Sequence, residues 1–180
     1  MTKRLSAAAW TEMALRVMAS DGVEAVRVEP LARALEVTKG SFYWHFADRQ
    51  ALLDSVLDEW ELSATLEVIK TVEEAHETPR ERLRELTRVV FGHGGPLDKA
   101  VRAWAAHDDN AADAVSRVDA TRYGFVRRLL EEHGLPEDTA AVRARLLYTS
   151  LIGEQHTSLR LSRKRRVAWA LSNLDLILAT

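Results

Sequence analysis

The chain is expected to be all-α, on three observations. Apolar residues recur at helical spacing in one segment after another. Ser, Thr, Asp and Pro stand where those segments would begin, and Gly where several would end. No segment alternates apolar and polar residues as a half-buried strand does, and no internal repeat is evident. With 180 residues, 47% hydrophobic content and four prolines, the chain can bury a real core and does not belong to the disordered class. The expected organisation is an N-terminal three-helix helix-turn-helix domain over residues 1–47 and a larger helical domain over residues 48–180, about nine helices together.

Ser6 is placed to cap a first helix running to about Asp21, with Trp10, Met13 and Val17 on one face and Gly22 as its stop. Glu29-Pro30 opens the second, where proline suits the first helical position because its missing N–H has no partner there. Leu31, Ala32 and Leu35 continue that helix, Glu36-Val37 breaks it, and Thr38 offers a hydroxyl oxygen to cap a third. A fourth begins at Asp48 and should reach about Glu74, with Leu53, Val56, Leu57, Trp60, Ala64, Val68 and Val72 in one stripe. Its length makes it the natural mechanical link between head and body.

Thr78-Pro79-Arg80-Glu81 matches a capping box, before a helix to about Phe91 that Gly92-His93-Gly94-Gly95 closes. Pro96 restarts a short helix to His107. A longer one from about Asn110 to His133 stops at Gly134, with Leu135 and Pro136 beyond, and on it Asp119 and Arg122 are spaced to pair. Two last helices, over about 137–159 and 163–179, are rich in small and aliphatic residues.

The third helix carries an unusual surface. Lys39, Ser41, Tyr43, Trp44 and His45 sit on a segment too short to bury much, and Gly40 permits close approach. Hydroxyls, a cation and aromatic tips suit the phosphates and base edges of a duplex groove. Phe42 and Phe46, four apart, read as the inward-facing pair. A net charge of −2 gives no global argument for nucleic acid, so positive charge must be local, as Lys3, Arg4, Arg27, Lys39 and Arg49 allow.

The stretch VEPLARALEVTKGSFYWHF, followed by ADRQALLDSVLDEW, resembles the N-terminal domain of the TetR family of transcriptional repressors. The specific part is the Tyr43-Trp44-His45-Phe46 run, then a short gap, a basic residue and a leucine pair. Two positions depart from the family pattern: Glu36 stands where the turn commonly has Gly, and Arg49 where the next helix commonly opens with Lys. At Glu36 the turn must either avoid a left-handed backbone or accept strain.

The resemblance implies a homodimer that binds a palindromic double-stranded DNA operator and releases it when an unknown small-molecule effector enters the C-terminal domain. It places Thr38, Lys39, Gly40, Ser41, Tyr43, Trp44, His45 and Arg49 at or near DNA, with Arg27 a weaker phosphate candidate. The residues able to line an effector pocket are Trp60, Trp104, His107, Tyr123, Phe125 and Tyr148, although each is also a natural core filler. The last two helices would form an isologous four-helix interface through Val142, Leu146, Ser150, Gly153, Val167, Ala170, Leu171, Leu174 and Leu178.

Other chemistries find little support. His107-Asp108-Asp109 invites a metal reading, but neighbours on a helix diverge, so a helix end with capping acids fits better, and no metal or cofactor is expected. No GxSxG, Walker or dinucleotide glycine pattern is present, which argues against an enzyme. The basic run Arg160 to Arg166 reads as a solvated loop or a dimer edge. Absence of cysteine fits a reducing cytoplasm, Glu12 and Arg16 interrupt any N-terminal leader, and no run is long enough to span a bilayer. Two alternatives remain: a DNA-binding regulator whose body answers to a protein partner, and a helical enzyme or carrier with a vestigial head.

Overall fold

The computed structural model describes residues 5–93, 95–159 and 161–179. Expectations that fall on Lys3, Arg4, Gly94 and Arg160 lie outside the described residues. Every regular element among the described residues is helical. Contacts group the chain into two units, one running to Ala64 and taking in Pro96–Ser116, the other comprising Thr65–Gly95 and the chain from Arg117 onward.

The first unit begins with α1 (Ala7–Asp21), whose N-cap Ser6 accepts a hydrogen bond from the Ala9 N–H. It ends at Gly22, with φ 81°, whose N–H returns to the Met18 carbonyl. After a 3-10 turn at Val23–Ala25, α2 spans Val28–Ala34. It starts two residues earlier than expected, so Pro30 is its third residue, still within the first turn where a missing N–H breaks no intrahelical bond. Then follow α3 (Lys39–Phe42) and α4 (Arg49–Glu61), the latter capped by the Asp48 carboxylate on the Ala51 N–H at 2.9 Å.

This unit extends well past residue 47. Three short helices bury too little to stand alone, and α1 is covered by α4 and, later in the chain, by a helix at Pro96–Ala105. Trp10, Ala14 and Met18 from α1 and Leu52, Val56 and Trp60 from α4 are fully buried. The Trp60 indole N–H donates to the buried Asp98 carboxylate at 2.7 Å, which satisfies a donor that burial would otherwise strand.

From α4 the helix runs on through a π turn at Leu62–Leu66 into α5 (Glu67–Ala75), which supplies the expected long helix with one widened turn. Next come α6 (Pro79–His93), α7 (Pro96–Ala105), α8 (Asp109–Glu132), α9 (Glu137–His156) and α10 (Arg163–Leu178). Counting α4 to α5 as one gives nine helices among the described residues. Thr78 caps α6 as expected: its hydroxyl accepts from the Glu81 N–H and donates to the Glu81 carboxylate. Gly92 and His93 remain helical, so α6 runs past its expected end at Phe91.

In the second unit α10 packs along α6, and a core forms around Val72, Leu83, Phe125, Leu129, Ala144 and Leu174. Arg128 lies over the Phe125 ring, 5.2 Å from its centroid, and bonds Glu73 and Glu132. No helix among the described residues is long and apolar enough to cross a membrane.

Candidate nucleic-acid interface

The turn between α2 and α3 is built by two backbone hydrogen bonds. The Val37 N–H reaches the Ala32 carbonyl at 3.0 Å and the Glu36 N–H reaches Arg33 at 3.2 Å, the paired bonds of a Schellman ending. That ending needs a left-handed residue, and Glu36 adopts φ 57° to supply it. Of the two alternatives at this position the turn takes the left-handed one and accepts the strain, in an exposed residue with no glycine to relieve it.

After the turn Thr38 has the extended backbone of an N-cap but makes no side-chain cap bond, contrary to its expected role. With only one turn following, the Ser41 N–H is met by the Thr38 backbone carbonyl instead, at 2.9 Å. The next residues are held by their aromatic spacing. Phe42 is fully buried, stacked on Phe46 at 5.4 Å and edge-on to Trp10 at 5.2 Å. With 42 and 46 turned inward, Tyr43, Trp44 and His45 between them must face out, and Trp44 is 84% exposed. Thr38, Lys39 and Gly40 are exposed beside them and Ser41 is half-buried. A Cβ on Gly40 would meet nothing tighter than Thr38 Oγ1 at 3.7 Å, so no internal contact requires glycine there.

Three of the expected DNA contacts are engaged within the fold. Arg49 is half-buried, its Nε donating to the Val26 carbonyl and its Nη2 to the Val23 carbonyl, both at 2.7 Å. These bonds pin the 3-10 turn to the start of α4: the guanidinium fork reaches the Val26 carbonyl and gives the Val23 carbonyl a second donor beside the Val26 N–H. Arg27 is exposed but its Nε donates to the Glu24 carbonyl at 2.9 Å. Lys39 Nζ donates to Glu29 Oε1 at 2.9 Å, so the cation of the third helix is already paired. The hydrogen bond and then the charge of Lys39 lower the Glu29 carboxyl below its ordinary value, and Glu29 raises Lys39 reciprocally. Glu29 escaped the sequence reading because it lies ten positions away on another helix; its place in the first turn of α2 was the available signal.

The residues expected to line a pocket are dispersed. Trp60 and Trp104 are buried and His107 is exposed in the first unit. In the second, Phe125 belongs to the hydrophobic core, the alternative noted for each of these residues. The Tyr123 hydroxyl donates to the Ala141 carbonyl and the Tyr148 hydroxyl to Asp119 Oδ1 at 2.7 Å. Arg122, expected beside Asp119, donates through Nε to Thr65 Oγ1 at 2.9 Å. Asp108 caps α8 through the Ala111 N–H, the expected capping acid. An open groove of about 440 Å³ lies between α1 and α4, lined by Thr11, Leu15, Ser55 and Glu59 among others, and includes none of the six expected residues.

The expected dimer face divides in two. Ala170 and Leu174 are buried within their own unit, and Val167 and Leu178 pack against its core, so these side chains already have neighbours. Leu171 and Ser150 are half-buried. Val142, Leu146 and Gly153 of α9 are exposed, joined on α10 by Trp169 and by Leu176, which is 75% exposed; the last two were not anticipated.

Residues 11–56 match the family model described as bacterial regulatory proteins, tetR family. The match shows a tetR-type head in this segment, and it covers about a quarter of the chain. The chain is also 38% identical over 52 residues to the HTH-type transcriptional regulator AcrR of Shigella flexneri, a match covering 29% of this chain and 23% of that protein. The likeness of the whole chain to solved structures is one of fold. It superposes on reduced NemR of Escherichia coli with TM-score 0.81 at 16% identity, covering 97% of this chain and 98% of that one. For SCO4454, a TetR-family transcriptional regulator from Streptomyces coelicolor, the TM-score is 0.80 at 16% identity, with 95% and 87% covered.

Proposed function

We propose that this chain is a TetR-type transcriptional regulator, acting as a repressor, that binds a palindromic operator as a homodimer and releases it on binding a small molecule. The observation that carries the reading is the exposed Tyr43-Trp44-His45 face, held between the buried Phe42 and Phe46 immediately after a helix-turn-helix. Tyr43 leans edge-on against Phe42 and Trp44 is 84% exposed, and aromatic tips and hydroxyls presented at the end of so short a helix suit phosphate and base-edge contact in a major groove. One such helix reads too few bases to be selective, so two are needed, about 34 Å apart in successive grooves. The exposed apolar side chains Val142, Leu146, Trp169 and Leu176 on α9 and α10 support pairing of two copies through those helices. An effector would act by preferring the conformation whose heads are wrongly spaced, since equal affinity for both states shifts nothing.

The test is capture of fragments of the source genome by the purified protein at two salt concentrations, alongside Tyr43→Ala. Selective retention of a few palindrome-bearing fragments, weakened by salt and lost in the variant, is expected. Unselective or absent retention by the native protein would overturn the reading.

A further inference from the structure

Glu29 and Lys39 occupy equivalent places on neighbouring helices, Glu29 in the first turn of α2 and Lys39 at the first position of α3. The two side chains meet across the turn, Lys39 Nζ 2.9 Å from Glu29 Oε1. Both side chains are exposed, so the pair contributes little to folding and its consequence falls on whatever approaches that surface.

We propose that Glu29 is a specificity-determining residue of the head, holding Lys39 out of the phosphate-binding set and presenting a carboxylate that arbitrary duplex cannot satisfy. The inference rests on the DNA-binding reading above. A lysine bound to a carboxylate neutralises no phosphate and releases no counterion. Should Lys39 turn to a phosphate, Glu29 is left unpaired against a polyanion. A base edge that donates, such as the amino group of cytosine, relieves that repulsion, and a site lacking one does not. The pair therefore penalises random sequence more than a matched operator.

The experiment measures binding of the native protein, Glu29→Gln, Lys39→Ala and the double variant to a random-sequence duplex and to a genome fragment selected by the native protein, across a salt series. Glu29→Gln is expected to tighten random-duplex binding by up to roughly eight-fold at 0.1 M salt and to steepen the logarithmic salt slope by about one, as one added phosphate contact does. Preference for the selected fragment over the random duplex should fall. In the Lys39→Ala background the same change should leave the salt slope unaltered. If the native protein binds DNA and Glu29→Gln changes neither random affinity nor slope, this inference is overturned while the DNA-binding reading stands. If no protein binds either duplex, both fall together.

Discussion

Glu36 is a single residue at which local strain is visible. Its φ of 57° lies where a Cβ crowds the backbone, and a non-glycine residue there costs about 1–2 kcal/mol. Glu36→Gly removes that strain but adds freedom to the unfolded chain, so a net gain of about 1 kcal/mol is expected, read as a higher denaturant midpoint. Gly40 makes the opposite case. No internal contact requires glycine, so Gly40→Ala should fold at least as well as the native chain, since alanine is the better helix former. If a duplex is what approaches Gly40, the same variant should bind DNA more weakly; unchanged affinity would place the groove elsewhere. Arg49 shows what residue type alone leaves open: a guanidinium at a helix start suits a phosphate, and here two backbone carbonyls of a distant turn also draw on its donors.

At the scale of elements, two threonines with the same apparent signal behave differently. Thr78 opens a 15-residue helix with Glu81 three positions on and forms its capping box. Thr38 opens a four-residue helix and caps only through its backbone. Thr78→Ala should lower stability by about 1 kcal/mol, measured by denaturant unfolding. Hydrogen bonds from Thr78, the side chain first, hold the Glu81 carboxyl below its ordinary value. A depressed acid contributes stability above its unfolded value and loses it as pH falls through the folded one. Thr78→Ala should therefore also flatten the acid limb of the stability profile, and an unaltered limb would show that the box does not hold Glu81. Glycine reappears at the end of α8, where Gly134, with φ 103°, forms the same kind of ending that Glu36 makes under strain. Helix existence was readable from spacing and caps, and boundaries shifted by one to three residues, the largest at the end of α9, which stops at His156.

For the whole molecule the open question is what covers α9 and α10. If a second copy does, Trp169→Glu should abolish the dimer, seen as a halved mass in light scattering, and with it operator binding, because two heads must engage together. A variant that remains dimeric would exclude this face. The periodic stripe on α10 that reads as an interface, with Ala170 and Leu174 at its centre, instead faces α6, while Trp169 and Leu176 look outward. Helix periodicity, caps and the aromatic run at 43–46 depend on neighbours within a turn or two, so the all-helical class, most helix positions and the inward turn of Phe42 and Phe46 were legible from order alone. The pairing of Glu29 with Lys39, the use of Arg49 as a backbone clamp and the inward choice of the α10 stripe depend on residues far apart in the chain. No local pattern encodes them, since an apolar stripe or a charge states what a side chain needs and folding decides which neighbour meets that need.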